Sequence, residues 1–493
     1  MDGRDVAVAL VLGLGFWALY SLTFQHVPYG DGPFLAKNFY CLRDDRSHWA
    51  GVEAAGFFFT PGYWHHPLQL MIASALGRWF DQLSPLAILR QLSSAPGAAG
   101  IALAYGLCRA WNTPRTAALI AALLLALSPA YWFFSTTIEV HALHGACVVL
   151  CACVTVCAPW RRPVLASLIV AIFLPLLFLS HQSALLLGPG FVLLSQLARW
   201  QSTGRSFRLP TLLLCVGPLY LSSFLAAIVI SAWLRGTPLA EFFSWSSHTV
   251  DRFSQGFVLQ SVYDGWLQPL GALLPLAALA LALQRLRGLA LATTMVLVLP
   301  SMFFFLVWGM VERGGYTLGT AGFLCAAAAT ALPARPWRAL AVGVLLIALQ
   351  GTLAYQSLRV HDNPVVRERL ERRAAAVARV IPEKGTLLSI NTHFQFVETF
   401  LPDVIELSFY GQICGTDRIG GTPADFMARV GPLIEAQLAR PKTVVALDLS
   451  SRALFEARAP RFVPYLDALE AWLSTRCQIT RFEDPQWPMA LLH

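Results

Sequence analysis

Asp31 is the residue best placed to begin a reaction, in the stretch VPYGDGPFLAKNFY. Glycines at 30 and 32 remove side-chain bulk on both sides of it, which lets backbone and substrate approach closely. A carboxylate in that setting suits a general base for an incoming hydroxyl. Gly-Asp-Gly is also ordinary turn chemistry, and the two readings stay open on position alone.

Histidines supply the second chemical signal. In SPAYWFFSTTIEVHALHGA (128–146), His141 and His144 stand one helical turn apart on a common face, where they can reach one phosphate or carboxylate together. Thr136 and Glu139 have the spacing of a capping box, so Glu139 is either a cap or a ligand. His181 and Gln182 lie in the short connection FLSHQSALLL, as a polar hairpin or as part of a site. HHPLQLMIASALGRWF (65–80) joins the pair His65 and His66 to a proline helix start and an amphipathic run. Glu312 and Arg313 are adjacent charges between apolar runs. Asp44-Asp45, flanked by Arg43 and Arg46, reads as a solvated ion-paired turn rather than an acid/base dyad.

The elements that must hold these groups belong to a membrane. The chain has 493 residues, 56% hydrophobic and 13% charged, against ~25% charged in a typical soluble protein. An ordinary soluble enzyme is excluded. Eleven apolar runs approach the ~20 residues a spanning helix needs: 6–24, 86–108, 116–134, 140–158, 164–180, 183–198, 210–234, 269–284, 289–308, 315–332 and 339–356. The first is too long for a secretory leader and no small-x-small cleavage site follows, so it reads as a retained anchor.

The net charge of +8 sorts by side of the membrane. If 67–80 lies flat at the interface and the N-terminus is cytosolic, the inner loops carry twelve arginines against Asp2 and Asp5, while the outer loops sum to −2. Lys/Arg bias toward the cytosol fixes that orientation. The surplus is thus an orientation signal, and no nucleic-acid partner is expected. Asp31, His65, His66, Glu139, His141, His144, His181, Gln182, Glu312 and Arg313 then gather at the outer face. Ionisable groups in or near spans are functional candidates by default.

The fold class expected is an all-α polytopic bundle of about eleven spans over 1–356, with a long first outer loop (25–85), followed by a small extracytoplasmic α/β domain over 357–493. In that tail TLLSIN, VIELSF and TVVALDL are β-rich runs separated by amphipathic segments near 365–380, 423–440 and 462–475. Cysteines 147, 151, 153 and 157 read as small hydrophobes rather than a metal site. Cys414 and Cys477 fall in the outer domain, where an oxidising compartment permits a disulfide that sequence cannot assign. The Gly-rich GTDRIGG (415–421) lacks the spacing of a dinucleotide loop.

The order of these features resembles the GT-C superfamily of membrane glycosyltransferases: an anchor span, an early outer Asp31, a His66-Pro67-Leu68 helix start, a basic turn at Arg109 and Arg115, then Ser128-Pro129 before Glu139-Val140-His141. The chain is most similar to the branch containing protein O-mannosyltransferases and the bacterial lipid A aminoarabinose transferase. The resemblance covers residues 6–200 in motif order and the remainder in topology. It implies a polyprenyl-phosphate sugar as donor, Asp31 as base, and His65, His66, His141, His181 and Arg313 as groups that bind or neutralise the donor phosphate. The O-mannosyltransferases have Asp-Glu and His-Pro-Pro where this chain has Asp31-Gly32 and His66-Pro67-Leu68, which leaves acceptor type and any divalent metal open.

The function expected is inverting transfer of a sugar from a polyprenyl-phosphate donor to a hydroxyl of a protein or glycolipid, on the periplasmic side of the inner membrane. The rivals are a transporter or flippase for a lipid-linked saccharide and a non-catalytic subunit of an envelope glycan pathway. Carriers commonly have internal repeats and discontinuous helices, and the sequence signals neither.

Overall fold

The computed structural model describes residues 2–27, 29, 30, 32, 35, 39, 67–181, 183–205, 216–235, 262–283, 291, 294–308, 312–382, 385–390, 397, 400, 401, 404–418, 420–439, 444–448, 450, 452–482 and 486–493. Two compact units result: Met1–Gln25 with Trp64–His361, and His26–Tyr63 with Asp362–His493.

The first unit is a helical bundle. Helix α1 (Gly3–Leu22) starts at a capping box between Asp2 and Asp5, and α2 is Pro67–Trp79. Helix α3 (Pro85–Ala110) starts on a Ser84 cap with proline in its first turn, a position that needs no N–H. It runs antiparallel to α1: Trp17 Nε1 donates to Gln91 Oε1 at 2.7 Å near one end, and Arg109 Nε reaches Asp5 Oδ1 at 3.0 Å at the other. That second end is a sealed polar knot. Asp5, 1% exposed, also accepts from Tyr105 Oη at 3.1 Å and Arg115 Nε at 2.9 Å.

Beyond the Arg109 turn the chain climbs back through α4 (Arg115–Ala126) and α5 (Pro129–Ser135), then α6 (His141–Cys157), α7 (Pro163–Ser180), α8 (Ala184–Thr203) and α9 (Gly217–Arg235). A wide-turn segment, Tyr263–Leu267, runs into Gln268–Leu270 before α10 (Leu273–Ala282). Then come α11 (Leu299–Trp308), α12 (Leu318–Ala331) and α13 (Pro336–His361). Val11, Ile172 and Leu345 are each 71% exposed on these helices, surface that lipid rather than water would cover.

By length and composition, three stretches among the described residues can cross a bilayer, Gly3–Leu22, Pro163–Ser180 and Pro336–Val380, or five if two bent pairs each count as one. The number eleven remains an expectation. One reason is visible: the apolar run 116–134 is not one helix, because α4 and α5 meet at an angle of 63° where Pro129 restarts the chain. The second break, 92° between Tyr263–Leu270 and α10, turns on Gly271 at φ +55°. The sequence reading expected no discontinuous helices, and the structure corrects that. A run of apolar residues reports hydrophobicity, which is the same for a straight helix and a bent one.

One side chain serves both breaks. Gln350 of α13, 1% exposed, donates from Nε2 to the carbonyls of Leu124 at 3.2 Å and Leu270 at 3.0 Å, and its Oε1 accepts from the Ala272 amide at 2.9 Å. Helix ends leave such backbone groups without intrahelical partners, and in a membrane interior no water replaces them.

The second unit is an α/β layer. Helix α14 (Pro364–Val380) precedes β1 (Gly385–Ser389) and β2 (Val404–Ser408); α15 (Tyr410–Arg418) and α16 (Pro423–Leu438) lead to β3 (Val444–Asp448). Helices α17 (Arg452–Arg458) and α18 (Val463–Ser474) precede β4 (Ile479–Phe482) and β5 (Met489–Leu492). The sheet order is β2-β1-β3-β5-β4, parallel among the first three strands and antiparallel beyond. The three β-rich runs of the sequence are β1, β2 and β3. Arg373 of α14 is buried against two carboxylates, with Nη2 at 2.6 Å from Glu406 and 2.7 Å from Asp448. Burial alone would raise the Glu406 carboxyl, but the Arg373 charge and hydrogen bonds from Arg373, Ser389 and the Val397 amide hold it below its ordinary 4.5. Among the described residues Cys477 has no disulfide partner, and the side chain of Cys414 lies outside them.

Candidate active site

Four helix ends meet at the end of the bundle away from the Asp5 knot. The α6 N-terminus brings His141 and His144, the α7 C-terminus Ser180, the connection to α8 His181 and Ser183, and the turn Glu312–Thr317 before α12 the remainder. Three imidazoles cluster there: His181 is 5.5 Å from His141 and 5.1 Å from His144, ring centre to ring centre. Tyr316 packs edge-on to His141 at 5.2 Å and His181 at 5.6 Å.

Hydrogen bonds fix the rings. Ser180 commits its hydroxyl proton to the Leu177 carbonyl at 2.7 Å, so in the neutral ring it accepts from His144 Nδ1 at 2.9 Å. That turns the His144 Nε2 lone pair toward Ser183 Oγ, 3.3 Å away, and Ser183 Oγ is 2.8 Å from His181 Nδ1. His141 Nε2 pairs with Glu312 Oε2 at 3.2 Å, while its Nδ1 is buried with no hydrogen-bond partner among the described residues.

Glu312 and Arg313 reach the site from an unusual backbone. Both have positive φ, 32° and 51°, a region sparsely used by residues with a Cβ, and such conformations cluster at ligand sites. Gly314 follows at φ +81°. The Arg313 guanidinium lies over the Phe133 ring, 4.9 Å from its centre, and Phe134 meets His141 edge-on at 4.7 Å. Gly315 gives His141 its room: a Cβ there would stand 2.7 Å from His141 Nε2 and 2.8 Å from Phe134 Cζ.

Of the residues singled out from sequence, His141, His181 and Glu312 are thus brought together, with His144, and Arg313 stands on the same turn as Glu312 with its guanidinium over Phe133. Glu139 is buried beside them, its carbonyl near Ser93 Oγ (3.4 Å) and Gln69 Nε2 (3.5 Å) and its carboxylate accepting from the Val140 amide at 3.1 Å. The capping box with Thr136 does not form. Thr136 instead closes α5, and its hydroxyl bonds back to the carbonyls of Trp132 and Phe133. Asp31, His65, His66 and Gln182 lie outside the described residues. Tyr316, Ser180, Ser183 and Gly315 went unnoticed in the sequence; only the Gly-Gly of ERGGYT hinted at a tight turn there. Among the described residues no three His, Cys, Asp or Glu side chains converge to hold a metal ion.

In fold the chain is similar to solved membrane transferases of the GT-C superfamily. The chain is similar to the lipid A aminoarabinose transferase ArnT from Cupriavidus metallidurans bound to undecaprenyl phosphate, at 11% identity and TM-score 0.60 over 100% of this chain and 98% of that one. The apo form of that protein gives 12% identity and TM-score 0.57, covering 99% and 97%. An Archaeoglobus fulgidus oligosaccharyltransferase tethered to an acceptor peptide gives 12% and 0.51, covering 99% of this chain and 74% of that one. No protein-family model matches the chain, and no curated protein matches it in sequence.

Proposed function

We propose that this protein is an inverting glycosyltransferase of the inner membrane that moves a sugar from a polyprenyl-phosphate donor to a hydroxyl of a protein or glycolipid. The observation that carries the reading is the convergence of His141, His144, His181, Glu312 and Arg313 at one end of a GT-C bundle. A lipid phosphate is already a good leaving group, so the enzyme needs a base on one side of the sugar and donors or positive charge on the other. Asp31 takes the proton from the acceptor hydroxyl, and its oxygen attacks the anomeric carbon. The bond from that carbon to the phosphate oxygen breaks, and the phosphate departs toward Arg313 and the imidazoles. His141 Nδ1, buried and unpartnered among the described residues, is a group that a phosphate oxygen or sugar hydroxyl would satisfy. The N-terminus faces the cytosol and the α/β unit the periplasm, so the reaction runs at the periplasmic face.

Incubation of the purified protein with a panel of radiolabelled polyprenyl-phosphate sugars and acceptors tests this. Release of lipid phosphate with label on the acceptor is expected. The two broken helices are also a carrier's feature, so proteoliposomes are the matching control: movement of intact lipid-linked sugar across the vesicle without cleavage would replace the transferase reading.

A further inference from the structure

We propose that Gln350, remote from the histidine cluster in sequence, is a positioning residue for it, acting through the two helix breaks it joins. A primary amide has two N–H donors and a carbonyl acceptor. Gln350 meets three backbone groups with them: the Leu124 and Leu270 carbonyls and the Ala272 amide. The Leu124 carbonyl belongs to the last turn of α4, where the chain's own amides turn elsewhere: Leu127 N–H goes to Leu123 and Ser128 N–H to Leu125. Gly271 is matched to the same amide, because a Cβ there would stand 2.8 Å from Gln350 Nε2.

What lies beyond each break touches the site. Helix α5 begins after the first and carries Phe133 under Arg313 and Phe134 against His141. Tyr263–Leu270 ends at the second and carries Pro269. Gly314, between Arg313 and Gly315, is wedged between the two: a Cβ on it would stand 2.7 Å from Pro269 Cγ and 3.3 Å from Ala130 Cβ. Helix α13 braces α5 once more at its end, where the His361 ring meets Phe133 edge-on at 5.0 Å. The Glu312–Thr317 turn therefore rests on two segments whose bends are held by one amide. Leu at 350 satisfies none of the three groups, and Glu keeps the shape but sets acceptor oxygens against two carbonyls.

The proposal rests on the glycosyl-transfer reading for its kinetic consequence but not for its structural one, and two measurements on the full-length protein separate them. In Gln350→Leu and Gln350→Glu, hydrogen exchange at 312–317 should rise tenfold or more, while exchange around Asp5, Tyr105 and Arg109 keeps its wild-type rate. The donor KM should rise about tenfold with the acceptor KM unchanged. A uniform rise in exchange, or no rise at 312–317, overturns the positioning role whatever the kinetics do. A fall in kcat alone, matching a lost folded fraction, overturns it as well. Should wild-type protein transfer no sugar, the transferase reading fails and the exchange result still decides the role of Gln350.

Discussion

His141 Nε2 lies 3.2 Å from Glu312 Oε2 although the two are separated by 171 residues, and this contact joins the α6 N-terminus to the turn that carries Arg313. The imidazole is 4% exposed and the carboxylate 36%, so the pair sits at the rim between packed protein and open space. A hydrogen bond to a charged group contributes about 1.5–3 kcal/mol, and 1.4 kcal/mol is a factor of about ten. Glu312→Gln and His141→Gln should each lower transfer about tenfold or more. The double variant should lose no more than the worse single one, a non-additivity that steady-state rates of all four proteins would reveal.

Gly315→Ala should damage the site without removing a polar group. The added methyl meets His141 and Phe134, and overpacking of this kind costs about 1–3 kcal/mol. A thermal melt should show a loss in that range, and transfer should fall further than the folded fraction does. Wild-type activity in a folded Gly315→Ala protein would mean that His141 can move without consequence.

Asp31→Asn removes the proposed base and keeps its shape. General-base catalysis is worth about 10²–10⁴-fold, so transfer should drop by that factor while binding of the proposed polyprenyl-phosphate donor is retained. Full activity of the purified variant would remove Asp31 from the mechanism.

Acid should loosen the α/β unit first at Glu406. Its carboxyl is held below 4.5, so the stability it contributes is fully present above 4.5 and is lost as pH falls through the lower, folded value. Limited proteolysis of the full chain, stepped from pH 7 to pH 3, should show cleavage in 364–493 setting in below 4.5. Arg373→Met should bring it to neutral pH, because removing one partner of a buried pair costs about 3–5 kcal/mol. Resistance of Arg373→Met at pH 7 would show that the carboxylates find other partners.

Local signals were readable in the sequence and long-range ones were not. The amphipathic segments near 365–380, 423–440 and 462–475 are α14, α16 and α18, and the β-rich runs are strands, because alternation and periodicity are properties of neighbours in the chain. His141 and His144 could be paired on one face for the same reason. Glu312 stood out as a charge between apolar runs, but nothing in its surroundings announces a histidine 171 residues away. Thr136 and Glu139 show the opposite failure: a correct local spacing lost to tertiary structure, since Thr136 ends one helix and Glu139 faces the amide of Val140. β4 and β5, four residues each, are too short to stand out from a polar tail.

The Gln350 amide also sets an order of events during synthesis. Leu124 precedes it by 226 residues, so α4, α5 and the 263–270 segment leave the ribosome well before the group that caps their exposed carbonyls. Until α13 is in place, those carbonyls must find partners on other helices, and the turn at 312–317 lacks this brace. A nascent chain halted before residue 350 would hold all three histidines of the cluster and still lack the brace between the two bends, so maturation of the site waits on the last helix of the bundle to be made.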